Sequence, residues 1–293
     1  MADLSHPNQI LAEHPLPAHN VFLMIPFLDS SANRKIRDAL RSNLSAYGRG
    51  IAIFNQTVQK QFNPSVSIEM GYMLAQDKQM LLLKEKNVRR MPTDLVGQLY
   101  KEFNKDRIRP SIADAVKSWL IDIGVRKSPG QRLVLFVSDG GTCRCAMAKV
   151  ALDERLKNRR LPYPLKIMSV AVTYGHSPVA SKGARNAVRE IHKSDLLGEH
   201  QVTKMSPGLA KDADIIVPMD RKVLAQLPDY AKAKAVLFKE LFTGKPGDIV
   251  NPYRDHSRGR AARYRNSLAA INKTMQSRED RLFQHLPRTG NNV

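Results

Sequence analysis

The chain has 293 residues, of which 42% are hydrophobic, so it is long enough to bury a sizeable core and to form two domains. No apolar run approaches the roughly 18 residues of a membrane-spanning helix and no basic-then-apolar leader follows Met1, so we expect a cytoplasmic protein with no membrane partner. The formal net charge of +20 favours anionic partners: phosphate, nucleotides, phosphorylated proteins or nucleic acid.

The first part of the chain alternates strand-like and helix-like patterns. Apolar strands are predicted at 21–27, 50–54, 78–84 and 99–103, and helices at 31–46 and 64–76. Asn63 followed by Pro64 is typical of a helix start, and Ser111 to Asp114 resembles the capping box of a closing helix. This alternation predicts an α/β domain with a mostly parallel sheet.

A polar segment with a Pro-Gly pair, 125–131, predicts a linker between two domains. We therefore expect an N-terminal extension (1–19), a first domain (20–124), this linker, a second domain (132–276) and a C-terminal tail (277–293). The predicted fold class is two three-layer α/β domains, each with a mostly parallel central sheet.

The segment Asn63–Lys78, with the Pro-Thr-Asp-Leu-Val-Gly run around Asp94, carries a recognisable pattern in the first domain. Over 20–104 it resembles the TIR-like and nucleoside deoxyribosyltransferase-like nucleotide-binding domains, which have flavodoxin-like folds. The resemblance implies that NAD or another nucleotide is a ligand, bound through Phe27, Asn63, Glu69 and Asp94. It also implies that Glu69 acts on an N-glycosidic bond. The alternative is that Glu69 is an ordinary helix-surface carboxylate.

The second domain opens with an apolar strand, 132–138, that runs into a glycine-containing turn and then a helix. Backbone N–H groups and a helix N-terminus converge in such a turn, which makes it a phosphate cradle. The candidate phosphate-binding residues are Ser138, Asp139, Gly140, Gly141, Thr142, Cys143 and Arg144.

This loop resembles that of the low-molecular-weight protein tyrosine phosphatases, in which a Cys and an Arg flank five residues. Three further segments resemble the same family in the same order: 200–204, 213–220 and Asp248–Tyr253. The resemblance implies the family's fold over about 131–276.

Two positions depart from the chemistry that the resemblance implies. Ser138 stands where the family has its nucleophilic Cys, and Asn251 stands where it has the Asp that protonates the leaving group. Gly141, Cys145 and Ala146 are further departures. The sequence therefore predicts a phosphate-binding loop without turnover. An active tyrosine phosphatase is the weaker alternative, if the Ser at 138 is an engineered replacement of Cys.

The charge is concentrated in the second part, with 18 basic and 12 acidic residues up to position 130, and 29 and 15 beyond it. The densest basic cluster follows Asn251, so Tyr253, Arg254 and Arg258 are expected at the pocket rim; a solvated helix face is the alternative. The two cysteines, Cys143 and Cys145, are too close in sequence for a structural disulfide, and no metal site is predicted.

These patterns lead to two hypotheses of different classes. The first is a pseudo-phosphatase recognition protein that binds a phosphorylated ligand or partner through Ser138–Arg144, coupled to a TIR-like domain in bacterial or phage nucleotide signalling or defence. The second is an NAD or nucleoside N-glycosidase acting through Glu69. Because TIR-like enzymes often work as assemblies, a homo-oligomer is expected.

Overall fold

The computed structural model describes residues 20–26, 31–47, 50–56, 80–86, 100–173, 177–253 and 259–287. The chain divides into two compact units, Met1–Arg126 and Lys127–Val293. None of the helices in the described ranges is long and apolar enough to cross a membrane.

The described residues of the first unit form two pairs of parallel strands. Strand β1 (Asn20–Pro26) pairs with β2 (Gly50–Gln56), in a register that places Asn20 beside Gly50. Strand β3 (Leu82–Glu85) pairs with β4 (Tyr100–Phe103). Helix α1 (Ser31–Ser45) connects β1 and β2, as expected for a right-handed parallel crossover. The predicted helix at 64–76 lies outside the described residues.

Helix α2 (Ile108–Asp122) closes this unit and packs against α1. The two helices share a core made of Ile36, Leu40, Leu44, Leu81, Ile112, Val116, Trp119, Leu120 and Val125. The helix starts before the predicted capping box, because a 3₁₀ turn, Lys105–Arg107, capped by Asn104 leads into it. Ser111 therefore lies inside the helix, where its hydroxyl accepts from the Asn104 N–H.

The second unit contains a four-stranded parallel sheet. Its strands are β5 (Arg132–Ser138), β6 (Leu165–Ala171), β7 (Thr203–Lys204) and β8 (Ile215–Pro218). Their order in the sheet is β7-β6-β5-β8. All strand pairings described in both units are parallel, which confirms the predicted α/β class with mostly parallel sheets. The strand order reverses at β5, so the carboxyl end of β5 lies at a topological switch point, where ligands bind in open α/β sheets.

Eight helices of the described chain surround this sheet. They are α3 (Arg144–Leu156), α4 (Lys182–His192), α5 (Pro207–Asp212), α6 (Arg221–Gln226), α7 (Asp229–Lys232), α8 (Phe238–Thr243), α9 (Arg260–Met275) and α10 (Asp280–His285).

Helix α10 falls within the predicted C-terminal tail, 277–293, and the structure differs from that prediction. Leu282 and Leu286 are buried in the same core as Val134 and Phe136 of β5. Arg155 of α3 also donates to Glu279 at 3.0 Å. The packed domain therefore continues past 276 to at least Leu286.

Candidate phosphate-binding site

The predicted cradle lies between β5 and α3. Ser138 is the last residue of β5, Cys143 is the N-cap of α3, and Arg144 is the first residue of that helix. The loop therefore leaves the sheet at the switch point and leads into a helix N-terminus, which carries a partial positive charge.

The carbonyl groups of the loop are anchored from one side. The carbonyls of Ser138 and Asp139 accept from the N–H groups of Val172 and Thr173, at 3.1 and 3.0 Å. The Thr142 carbonyl accepts from the Ser181 N–H at 2.9 Å. Val172 and Thr173 directly follow β6, so the carbonyls of Ser138 and Asp139 continue the pairing of β5 with β6, and the Thr142 carbonyl is held by the N-cap residue of α4.

This anchoring fixes the direction of the next N–H groups. In a trans peptide the C=O of one residue and the N–H of the following residue point in opposite directions. The N–H groups of Asp139, Gly140 and Cys143 are therefore directed away from these donors, which leaves them available to an anion held in the loop.

Gly141 makes the tight turn of the loop. Its φ is +70°, a left-handed conformation that only glycine adopts at little cost. A Cβ at this position would lie 2.8 Å from Val202 Cγ1 and 3.0 Å from Ala171 Cβ. Its carbonyl lies 2.9 Å from His200 Nε2. A carbonyl can only accept, so Nε2 of His200 carries the proton.

Arg144 is only 1% exposed, and its guanidinium is held on the β8 side. Nη1 donates to Asp220 Oδ2 and, at 3.0 Å, to the Ile249 carbonyl. Asp220 follows β8 and is the N-cap of α6, where its Oδ1 accepts from the Val223 N–H at 2.7 Å. Both hydrogens of Nη1 are thus used by groups that hold the guanidinium in place.

The second edge of this guanidinium, formed by Nε and Nη2, is not used by these contacts. Among the described residues, buried Nε has no hydrogen-bond partner. Nη2 lies 4.0 Å from Asp139 Oδ2, which is beyond hydrogen-bond distance. Nε and Nη2 form the planar fork with which arginine binds two oxygens of a phosphate or carboxylate. Since the carboxylate nearest Nη2 belongs to Asp139, this fork faces the loop.

The hydroxyl at the nucleophile position is not activated. Ser138 is 2% exposed, and its Oγ donates to Cys145 Sγ at 3.0 Å. Burial raises the pKa of Cys145 to about 11, so this residue is a neutral thiol at neutral pH and not a base. Desolvation also raises the pKa of the Cys143 thiol, although the Arg144 N–H and charge oppose that effect.

The other candidate proton carriers are also placed for structural roles. His200 uses its protonated Nε2 on the loop carbonyl, and burial lowers its pKa, so the ring is neutral. Asn251 Oδ1 accepts from the Tyr253 N–H at 3.1 Å, which makes a local turn. No general base or acid for Ser138 is present among these contacts.

The remaining predicted site residues fall in three places. Tyr253 is 67% exposed, as a rim residue would be. Arg254 and Arg258 lie outside the described residues. The predicted nucleotide-binding residues of the first domain, Phe27, Asn63, Glu69 and Asp94, also lie outside them. In the ranges that the structure describes, no group of three or more His, Cys, Asp or Glu could hold a metal ion.

Two groups of the site were not singled out from the sequence. Asp220 and the Ile249 carbonyl lie 76 and 105 residues from Arg144 along the chain. The signal for them was the pair of segments 213–220 and 248–253, which resemble the phosphatase family but were not assigned contacts.

Comparison with protein families identifies this architecture. Residues 133–290, more than half of the chain, match the model of the low molecular weight phosphotyrosine protein phosphatases. The chain belongs to this family. The match starts one residue into β5 and extends beyond α10, so it includes the cradle and every element that holds Arg144. No curated protein matches the chain significantly.

Several solved structures are similar to the family domain. A low molecular weight protein tyrosine phosphatase from Bacillus subtilis has 20% identity and a TM-score of 0.45, covering 52% of this chain and 97% of that protein. The YwlE arginine phosphatase from Geobacillus stearothermophilus has 24% identity and a TM-score of 0.41, covering 53% and 92%. The phosphatase from T. tengcongensis has 24% identity and a TM-score of 0.43, covering 53% and 99%.

Proposed function

We propose that the phosphatase-like domain is a recognition module that binds a phosphorylated ligand or partner and does not hydrolyse it. The binding site for the phosphoryl group is the loop Ser138–Arg144, with Tyr253, Arg254 and Arg258 at its rim. The TIR-like domain would be the coupled nucleotide-binding partner, in bacterial or phage nucleotide signalling or defence. This assignment makes the protein a pseudoenzyme of its family.

The proposal rests on the edge of the Arg144 guanidinium formed by Nε and Nη2, because its Nε has no hydrogen-bond partner among the described residues. A buried polar group without a partner costs about 1–3 kcal/mol, and more when it is charged. An oxyanion bound by Nε and Nη2 would satisfy this group, and the N–H groups of the loop would bind its remaining oxygens.

Loss of turnover follows from the same contacts. Within the described part of the chain the Ser138 hydroxyl has no base, because Cys145 is a neutral thiol and His200 is bound to the loop carbonyl. Asn251 cannot donate an acidic proton, and general acid catalysis contributes about 10²–10⁴-fold to rates. Binding needs neither group, since it uses only Arg144 and backbone N–H groups.

Calorimetry of the full chain tests the proposal, with inorganic phosphate, a phosphotyrosine peptide, NAD and a cyclic nucleotide as probes. Arg144→Lys keeps the charge but removes the fork, so we expect binding to weaken by at least about tenfold. The matched control is Arg132→Lys at the other end of β5, where we expect no change.

Two results would remove the proposal: no binding of any probe by the unaltered protein, or equal binding by Arg144→Lys. Circular dichroism and thermal unfolding of both variants identify any loss of folded protein. Arg144→Ala is a poorer choice, because it would leave Asp220 partly buried without its cation.

The second candidate function is cleavage of NAD or a nucleoside by Glu69, and it rests on the motif from Asn63 to Lys78. Incubation of the protein with NAD at several protein concentrations, followed by assay of nicotinamide release, tests it. Release that is abolished by Glu69→Gln would support this function. Absence of release at every concentration would count against it.

A further inference from the structure

A cavity of about 320 Å³ in the second unit is lined by residues of helix α3, of strand β6 and of the segment that leads into β7. This volume is at the small end of the range for small-molecule sites in proteins, about 300–1,000 Å³. The apolar part of its wall is formed by Val150, Met168, Leu196 and Leu197. No residue of the loop Ser138–Arg144 lines it, so it is separate from the phosphate-binding site.

Ser169 brings a hydroxyl group to this cavity from strand β6. The residue is only 6% exposed, and its hydroxyl has no hydrogen-bond partner among the described residues. Leaving a buried polar group without a partner is costly, and a ligand in the cavity would supply one. The hydroxyl is therefore a candidate donor to a bound molecule.

His200 also lines the cavity, and one of its ring nitrogens is left for a ligand. Its Nε2 donates to the Gly141 carbonyl at 2.9 Å, so Nδ1 of the neutral ring carries a lone pair and accepts. Nδ1 has no hydrogen-bond partner within the ranges that the structure describes. A ligand with an N–H group would satisfy it.

The charged side chains at the cavity favour a neutral ligand. Lys149 is already paired with Asp153 at 2.6 Å, and Glu199 is exposed to solvent, so neither strongly attracts a counter-ion into the cavity. A neutral amide has both groups that the cavity requires, an N–H for Nδ1 of His200 and a carbonyl for the Ser169 hydroxyl. In a ring amide these two groups lie on the same side, and the hydrocarbon part can pack against the apolar wall.

We propose that this cavity is an effector site for a small neutral ring amide, and that His200 links it to the phosphate-binding loop. A ligand held by Nδ1 fixes the orientation of the ring whose Nε2 anchors Gly141. It thereby preorganises the loop and strengthens phosphate binding. The link rests on the proposed function, whereas binding in the cavity does not.

Two probes of the same shape test the cavity. Carbostyril and coumarin are fused bicyclic molecules, and the ring N–H of carbostyril is replaced by an oxygen in coumarin. Coumarin would place this oxygen opposite the lone pair of Nδ1. In calorimetry of the full chain we expect carbostyril to bind at least about tenfold more tightly than coumarin.

Two variants locate the binding site. Ser169→Ala should weaken carbostyril binding by about tenfold and leave phosphate affinity without carbostyril unchanged. Leu196→Trp should weaken it by narrowing the cavity, and Leu196 is 39% exposed, so the larger side chain can be accommodated. Thr274→Ala is the control, because its buried hydroxyl donates to the Ala270 carbonyl of its own helix, at 2.7 Å. Thermal unfolding identifies any loss of folded protein.

The link to the loop is tested by titrating inorganic phosphate with and without saturating carbostyril, which we expect to tighten phosphate binding by at least about fivefold. The cavity site is overturned if carbostyril does not bind, if it binds no better than coumarin, or if both variants bind it as the unaltered protein does. Binding of carbostyril with no change in phosphate affinity overturns the link through His200. If carbostyril binds as expected but phosphate binds under neither condition, the proposed function and the link fail while the cavity site stands.

Discussion

The two ends of strand β5 both hold buried charged groups, but they use their hydrogen-bonding capacity differently. At the amino end, Asp214 accepts from Lys127 Nζ at 2.6 Å, from the Leu133 N–H at 2.7 Å and from Arg132 Nη1 at 3.4 Å. At the carboxyl end, Arg144 forms hydrogen bonds through Nη1, its Nη2 lies 4.0 Å from Asp139 Oδ2, and its Nε has no hydrogen-bond partner among the described residues.

Arg132 also has a buried Nε without a hydrogen-bond partner in the described chain, yet its surroundings differ. Its guanidinium lies over the Tyr163 ring, 5.6 Å from the centroid, as in a cation–π contact. The comparison teaches that at the amino end one carboxylate is satisfied by three donors, which stabilises the fold. At the carboxyl end the Arg144 guanidinium has an unused donor, which the proposed ligand would satisfy.

The largest expected effect concerns catalysis at the carboxyl end. Ser138→Cys alone should give little or no hydrolysis of an aryl phosphate, because the general acid is still missing. Adding Asn251→Asp should raise any turnover by about 10²–10⁴-fold. Stopped-flow or plate assays of both variants measure this, with Asn251→Asp alone as the control. Robust turnover by Ser138→Cys alone would show that the rest of the catalytic machinery is intact.

The next effect is on stability at the amino end. Asp214→Ala should lower the free energy of unfolding by about 2–3 kcal/mol, because it leaves two half-buried cations and the Leu133 N–H without their acceptor. Urea denaturation measures the loss. Phosphate affinity per folded molecule should not change.

The matched control for that experiment is Asp229→Ala, which removes a carboxylate that is 97% exposed and paired with Lys232. Surface pairs of this kind contribute at most about 1 kcal/mol. Equal destabilisation by the two variants would mean that the Asp214 network does not hold the sheet together.

A comparable effect is expected at the turn of the cradle. Gly141→Ala must adopt a positive φ and also place a Cβ against Val202 and Ala171, so we expect a loss of about 2–4 kcal/mol and weaker phosphate binding. Gly130→Ala is the control, because Gly130 has a φ of +76° and nothing within 4 Å of a Cβ. The two variants would be equally destabilised, in thermal or urea unfolding, if the contact with the neighbouring strand were unimportant.

The smallest effect is on the pH dependence of stability. Burial lowers the pKa of His200 in the folded protein, so below the unfolded pKa of about 6.5 the unfolded chain binds a proton that the folded protein does not. Stability attributable to His200 is therefore present above that pH and decreases as the pH falls through it. His200→Gln keeps a donor for the Gly141 carbonyl and should flatten the curve between pH 7 and 5.

Urea unfolding at a series of pH values measures this slope, and His285→Gln is the control. His285 is exposed, and its ring nitrogen Nδ1 lies 2.9 Å from the Arg281 carbonyl of its own helix. If His200→Gln and His285→Gln change the slope equally, then the buried ring does not anchor the loop.

The strand, turn and helix that form the loop could be predicted from the sequence, because each depends on residues that are close together in the chain. The apolar run before Ser138, the turn at Gly141 and the helix after Arg144 all lie in the continuous segment 132–156, and the structure has each of them. The family resemblance over the second part of the chain was confirmed by the family match.

The long-range parts could not be predicted from local pattern. Which Arg144 donors are used within the protein depends on Asp220 and on the Ile249 carbonyl. The fold brings these two groups together from distant segments. Helix α10 was missed because Asp280–His285 is short and polar outside Leu282 and Phe283, so its periodicity is weak, and burial against the core stabilises it.

A titration of the ¹⁵N-labelled protein with inorganic phosphate, followed by NMR, tests the central claim most directly. We predict that the Arg144 Nε–H signal and the N–H signals of Gly140 and Cys143 shift together, with one dissociation constant, while the Arg132 Nε–H signal stays in place. The claim is contradicted if the Arg144 Nε–H signal does not respond, or responds no more than that of Arg132.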